Sequence, residues 1–115
     1  MSIVLITPPP IDEAKLRKRN ENMGKQLLLD RSNERTFEYV SAVVDIGRQY
    51  NLPVVNCFLA CEGESPNKEI YLADGLHLSS LGNLKLFKEL TAIITEVYPI
   101  FDEMQIDQPH WSKLN

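Results

Sequence analysis

Apolar and polar positions change their spacing several times along the chain, and each change marks an element. Ile3-Val4-Leu5-Ile6 is an unbroken apolar run rich in β-branched residues, the pattern of a strand buried on both faces of a parallel sheet. Thr7 and the prolines Pro8–Pro10 end it, because proline donates nothing to a ladder. Residues 11–32 are mostly charged and read as an exposed helical insertion with a solvated face; a lid over a site is the alternative. Leu27-Leu28-Leu29 would tack this segment to the body. Phe37, Val40, Val43, Val44 and Ile46 recur at helical spacing. Asn33 is the predicted N-cap of that helix, and Asn51 and Pro53 stop it after Tyr50. Val54, Val55 and Cys57 predict a second short buried strand, and residues 59–71 predict loop. A last helix is expected from Ser80 to about Tyr98, capped by Ser80 or Ser79. Leu81, Leu84, Phe87, Leu90, Ile94 and Val97 would form its apolar face, and Pro99 would stop it. The tail 99–115 is polar, with Ile106, Trp111 and Leu114 as pins.

The order strand–helix–strand–loop–helix predicts an α/β architecture with parallel strands. Ligands of such sheets bind beyond the carboxyl ends of the strands. The loop at Pro8–Pro10 and the turn at Asp74–His77 both follow strands, so both are candidates to line one crevice. The chain has 115 residues, enough for one domain, and 43% of them are apolar, too many for a disordered segment. A net charge of −4, with both signs interspersed, gives no basic stripe for nucleic acid and no polybasic membrane anchor. No apolar run approaches the roughly 18 residues of a membrane span, and the N-terminus has no secretory pattern. Two cysteines, Cys57 and Cys61, make no disulfide framework, so a reduced, cytoplasmic setting is expected.

Candidate chemistry centres on Asp74-Gly75-Leu76-His77. A carboxylate three residues before a histidine can reach back across a tight turn to the ring Nδ1–H. That contact fixes the tautomer and leaves Nε2 free to take a proton from a nucleophile. Gly75 supplies the positive φ such a turn needs. The positive end of the following helix disfavours imidazolium while Asp74 favours it, a balance suited to a base near neutral pH. A metal reading would use Cys57, Cys61, Asp74 and His77, but a Cys-x3-Cys spacing without a second close pair is a poor ligand pattern.

The opening Ile3–Pro10, the Ser32-Asn33-Glu34 start of the next helix and the block Leu72–Asn83 resemble SGNH (GDSL-type) ester hydrolases. Within that family they are most similar to the isoamyl acetate-hydrolysing esterases. The resemblance runs over nearly the whole chain, including Val97-Tyr98-Pro99 and Trp111. It implies the C-terminal portion of a flavodoxin-like three-layer α/β/α fold, with residues 1–115 a partial domain. It also implies a Ser–His–Asp triad cleaving a small carboxylic ester with no metal or cofactor. His77 would be the general base and then acid, Asp74 would orient it, and Thr7, Pro8 and Pro9 would lie at the substrate pocket. Asn56 departs from the pattern, since relatives often carry an acid there. The family's Gly-Asp-Ser nucleophile block and its oxyanion Gly and Asn do not occur in this sequence. Ser79 and Ser80 read as helix caps, Ser41 lies in a helix, Ser65 in a loop and Ser112 in the tail. Cys57 and Cys61 read as inert buried thiols. The chain would then begin at the family's fourth strand and hold only the base half of the machinery. It is expected to be poorly stable alone, to form a homodimer or to pair with a missing half. The alternative function is an inactive fragment or degenerate member acting as a binding or dimerisation module.

Overall fold

The structure, a computed structural model, describes residues 2–23 and 31–98. The expected positions at Leu27–Leu29, at Pro99 and in the tail with Ile106, Trp111 and Leu114 lie outside the described residues. Strand β1 (Leu5–Ile6) pairs in parallel with β2 (Val54–Val55), in the register Leu5 to Val54 and Ile6 to Val55. The described residues also form four α-helices, α1 (Glu13–Asn22), α2 (Asn33–Tyr50), α3 (Cys57–Ala60) and α4 (Ser80–Val97), of which α2 and α4 pack on the strands. A 3-10 helix, Pro66–Tyr71, precedes the Asp74 turn. The chain is an α/β protein with parallel strands.

Both strands are shorter than the apolar pattern predicts, and side-chain chemistry explains one end. Val55 is the last strand residue because the Asn56 side chain accepts from Leu59 N–H at 2.9 Å and starts a helix there. Cys57 therefore opens α3 instead of extending β2. The hydroxyl of Thr7 accepts from Phe58 N–H at 3.3 Å, fastening the end of β1 to the start of α3. The first strand is not buried on both faces either: Ile3 and Ile6 are 37% and 43% exposed. Ile6 sits where no further strand is hydrogen-bonded to β1 among the described residues.

Helix α2 is capped one residue earlier than predicted. Ser32 accepts from Arg35 N–H at 3.1 Å. Asn33 is thereby freed to bond over a longer range. Its side chain accepts from Ile11 N–H at 2.9 Å and donates to Gly63 O at 2.8 Å. Asn51 ends the helix in the left-handed region at φ 55°, with Leu52 N–H returning to Gly47 O. Of the predicted apolar face, Val40 is buried, whereas Phe37 and Ile46 are exposed. Helix α4 shows the same outcome. Ser79 caps it, and Leu81, Leu84, Phe87 and Val97 are exposed. Periodicity located these faces, but among the described residues they are covered only in part. The core that does form is small: Ile11, Leu16, Val40, Val55, Cys57, Phe58, Cys61 and Leu72. Phe37 still packs its ring edge-on to Phe58, centroids 5.6 Å apart.

The charged stretch after the prolines is more than a solvated insertion. Asp12 caps α1 by accepting from Lys15 N–H at 3.2 Å, and Leu16 and Asn20 are buried. Asp12, Lys15, Leu16 and Arg19 recur at i, i+3, i+4 and i+7, so they share one face of α1. That face meets residues 69–75. The segment predicted as plain loop over 59–71 likewise contains the end of α3 and the 3-10 helix.

Candidate active site

Three backbone pairings close the Asp74 turn. Leu72 and Leu78 form an antiparallel bridge, Ala73 N–H donates to His77 O at 2.7 Å, and Ser79 N–H donates to Tyr71 O at 2.9 Å. Gly75 sits at the tip with φ +90°, a conformation that side chains disfavour. A Cβ there would lie 2.5 Å from Leu16 N and 2.6 Å from Asp12 O, so glycine also permits α1 to press against the turn. Asp12 N–H donates to Gly75 O at 2.9 Å across that contact. Lys15 Nζ adds a bond to Leu72 O at 2.9 Å.

Within this frame the two carboxylate oxygens of Asp74 have separate partners. Oδ1 accepts from the backbone N–H groups of Leu76, at 2.9 Å, and His77, at 2.8 Å. Oδ2 lies 2.8 Å from His77 Nδ1. Burial works against charge on Asp74. The N–H of His77, its ring and the N–H of Leu76 outweigh that burial and hold the carboxyl well below the usual carboxylate range. An ionised carboxylate only accepts, so Nδ1 carries the proton and, in the neutral ring, Nε2 holds the lone pair. The His77 side chain is 70% exposed, that of Asp74 23%: an anchored acid behind an accessible ring.

The other predicted positions have hydrogen-bond partners of their own. Thr7 is 2% exposed, and its hydroxyl bonds Pro8 O and Asn56 Oδ1 as well as Phe58 N–H. Pro8 and Pro9 are half-buried. No hydrogen bond joins Thr7, Pro8 or Pro9 to Asp74 or His77 among the described residues; the link from this loop to the turn is made later, by Asp12. Asn56 is a helix cap. Cys57 and Cys61 are buried, and desolvation, reinforced by its cysteine neighbour, pushes the Cys57 thiol up to about 12, far from a reactive thiolate. No group of three or more His, Cys, Asp or Glu is placed to hold a metal ion among the described residues. An open cavity of about 580 Å³ between α1 and the 3-10 helix is lined by Asp12, Lys15, Lys18 and Glu69, and does not include the Asp–His pair.

Arg19 was not singled out in the sequence, yet its Nη1 stands 3.6 Å from Asp74 Oδ2. The available signal was the Asp12–Lys15–Leu16–Arg19 spacing, which sets charges and one apolar residue on a common face.

A parallel α/β frame carrying an Asp–His pair on a loop defines a class, and solved structures agree with it. The chain superposes on a lipase/acylhydrolase from Enterococcus faecalis with TM-score 0.62 and 31% identity, over 81% of this chain and 42% of that one. Its fold is part of an SGNH-type hydrolase fold. Within that class, the chain is a homologue of the GDSL esterases and the isoamyl acetate-hydrolysing esterases. It is 36% identical over 118 residues to a GDSL esterase/lipase of Arabidopsis thaliana, across the whole of this chain and 49% of the relative. It is also 36% identical over 92 residues to a mouse isoamyl acetate-hydrolysing esterase 1 homologue, covering 80% of this chain and 36% of that protein. The chain thus spans about half, or less, of the length of the curated relatives it matches. No protein-family model matches it. Among the described residues no helix is long and apolar enough to cross a membrane.

Proposed function

We propose that this chain supplies the Asp–His pair of a Ser–His–Asp carboxylester hydrolase of the isoamyl acetate esterase type. The observation that carries the reading is the 2.8 Å contact between His77 Nδ1 and an Asp74 carboxylate whose other oxygen is tied by two backbone N–H groups. In the reaction, a serine Oγ attacks the acyl carbonyl carbon and its proton passes to His77 Nε2. Asp74 stabilises the imidazolium that results. The ring then returns the proton to the departing alcohol oxygen as the ester C–O bond breaks, and water repeats the cycle on the acyl-enzyme. The sequence holds no Gly-Asp-Ser block, and its relatives are about twice as long, which supports a nucleophile and oxyanion donors from polypeptide outside these 115 residues. Pro8 and Pro9 would form a rigid apolar rim for a short acyl ester, with Thr7 holding that rim to α3.

The test is a chimera in which residues 2–98 replace the matching part of the Arabidopsis relative. It should hydrolyse p-nitrophenyl acetate, and His77→Ala should slow it by at least about a thousandfold. A chimera that melts cooperatively but turns over no ester, or one that ignores His77→Ala, overturns the proposal.

The exposed Ile6, Leu81, Leu84 and Phe87, together with a β1 edge that pairs with no further strand among the described residues, favour a second reading: a module that associates without catalysis. It requires a folded, inactive chimera together with a concentration-dependent dimer of the 115-residue chain in sedimentation.

A further inference from the structure

The face of α1 that reaches the Asp74 turn is built from backbone and charge. Asp12 N–H holds Gly75 O, the backbone of Asp12 and Leu16 packs on Gly75, and Lys15 Nζ holds Leu72 O at 2.9 Å and Glu69 O at 3.4 Å. The helix is therefore fixed at its N-terminal turn, and Arg19, one turn beyond Lys15, is delivered to the carboxylate. Its guanidinium stands 3.6 Å from Oδ2, the same oxygen that binds the His77 ring. A carboxylate offers about four acceptor positions. Here two backbone N–H groups face Oδ1, and the ring and the guanidinium face Oδ2.

We propose that Arg19 is a positioning residue for the Asp74–His77 pair, holding the carboxylate in place at the oxygen that grips the ring. The inference rests on the reading of Asp74 as the partner of a catalytic histidine. The coupling of Arg19 to Asp74, however, is measurable on the chain itself, with no ester present. Among the described residues the only charged or titratable groups at ion-pair distance from Asp74 are Arg19, from α1, and His77, from its own turn. Asp12 meets the turn through its backbone, and Lys15 bonds backbone carbonyls there.

The sign of the pH dependence follows from the carboxylate. Asp74 titrates below its ordinary value in the folded chain, so any stabilisation by Arg19 is present above that value and disappears as the pH falls through the folded-state value. The experiment is urea unfolding of the full 115-residue chain, from pH 7 down to pH 2, for wild type, Arg19→Gln, Asp74→Asn and the double variant. At pH 6, Arg19→Gln should lower the folding equilibrium constant by about two- to fivefold, the range of a partly exposed pair. The gap should persist through the ordinary carboxylate range and narrow only at the acid end, as the pH nears the lowered folded-state value of Asp74, and at pH 6 it should largely vanish in the Asp74→Asn background. Arg19→Lys should restore part of it. Lys15→Gln is the control for loosening α1 alone and should weaken the chain equally at every pH. A gap between wild type and Arg19→Gln that is absent at pH 6, or unchanged by Asp74→Asn, overturns the proposal. Loss of ester turnover in the chimera with this coupling intact would overturn the function and leave the pair standing.

Discussion

At the scale of single residues, the Asp74 turn is a set of short-range necessities. Asp74 must accept from two amides and a ring, and the backbone bends sharply enough to allow it only because residue 75 is glycine. Gly75→Ala imposes a positive φ on a side chain and drives its Cβ into the backbone of α1. The expected cost is about 2 kcal/mol or more, read as a lower urea midpoint. An alanine variant as stable as wild type would show that the turn does not hold α1 as described. The Asp-Gly-Leu-His spacing made this turn and its chemistry legible in the sequence, because i to i+3 contacts depend on few residues. Arg19 was not legible at that scale. Nothing in a charged helical run says which side chain faces an acid 55 positions later.

Elements are set by their ends. Ser79 accepts from Gly82 N–H at 3.1 Å and donates to Ile70 O at 2.8 Å, so one hydroxyl both starts α4 and ties it to the 3-10 helix. Gly82 then allows the first turn of α4 to lie against Tyr71 O, where any Cβ would clash. Ser79→Ala should cost about 1 kcal/mol, the usual value for a lost N-cap, with the loss of the Ile70 contact adding to it. Unfolding free energies of the two chains that agree within error would assign the start of α4 to Gly82 packing instead. The choice between neighbouring caps, Ser32 over Asn33 and Ser79 over Ser80, could not be read from composition, since each pair offers two competent acceptors. Tertiary contacts decided the first case: Asn33 is drawn away by Ile11 and Gly63. The same holds for Cys57, which reads as strand by hydropathy but enters a helix because Asn56 caps it.

Over the whole molecule, two features stand out: an apolar surface exposed among the described residues and a carboxylate whose ionisation is coupled to folding. The faces of α2 and α4 were correctly located by their period, but their exposure follows from what packs next to them. Asp74 predicts the acid behaviour. Its pKa is lowered on folding, so its contribution is complete above the ordinary carboxylate value and is lost as the pH falls further. Asp74→Asn should make the chain less stable at neutral pH and flatten the fall in stability below about pH 4. Unchanged slopes in urea titrations at pH 6 and pH 3 would remove Asp74 from that account.

The sequence by itself determined the local objects: two short apolar strands, helices at 33–50 and 80–97, and an acid and a histidine three residues apart across a glycine. Each depends on neighbours along the chain, whose spacing hydropathy and turn chemistry report directly. Only the tertiary structure decided that α1 packs on the Asp74 turn, that Arg19 shares the oxygen used by His77, and that Thr7 is occupied in joining β1 to α3. Those are meetings between residues about 50 positions or more apart. Their partners are fixed by how the elements pack, because a charge or a hydroxyl carries no mark of which distant group it will face.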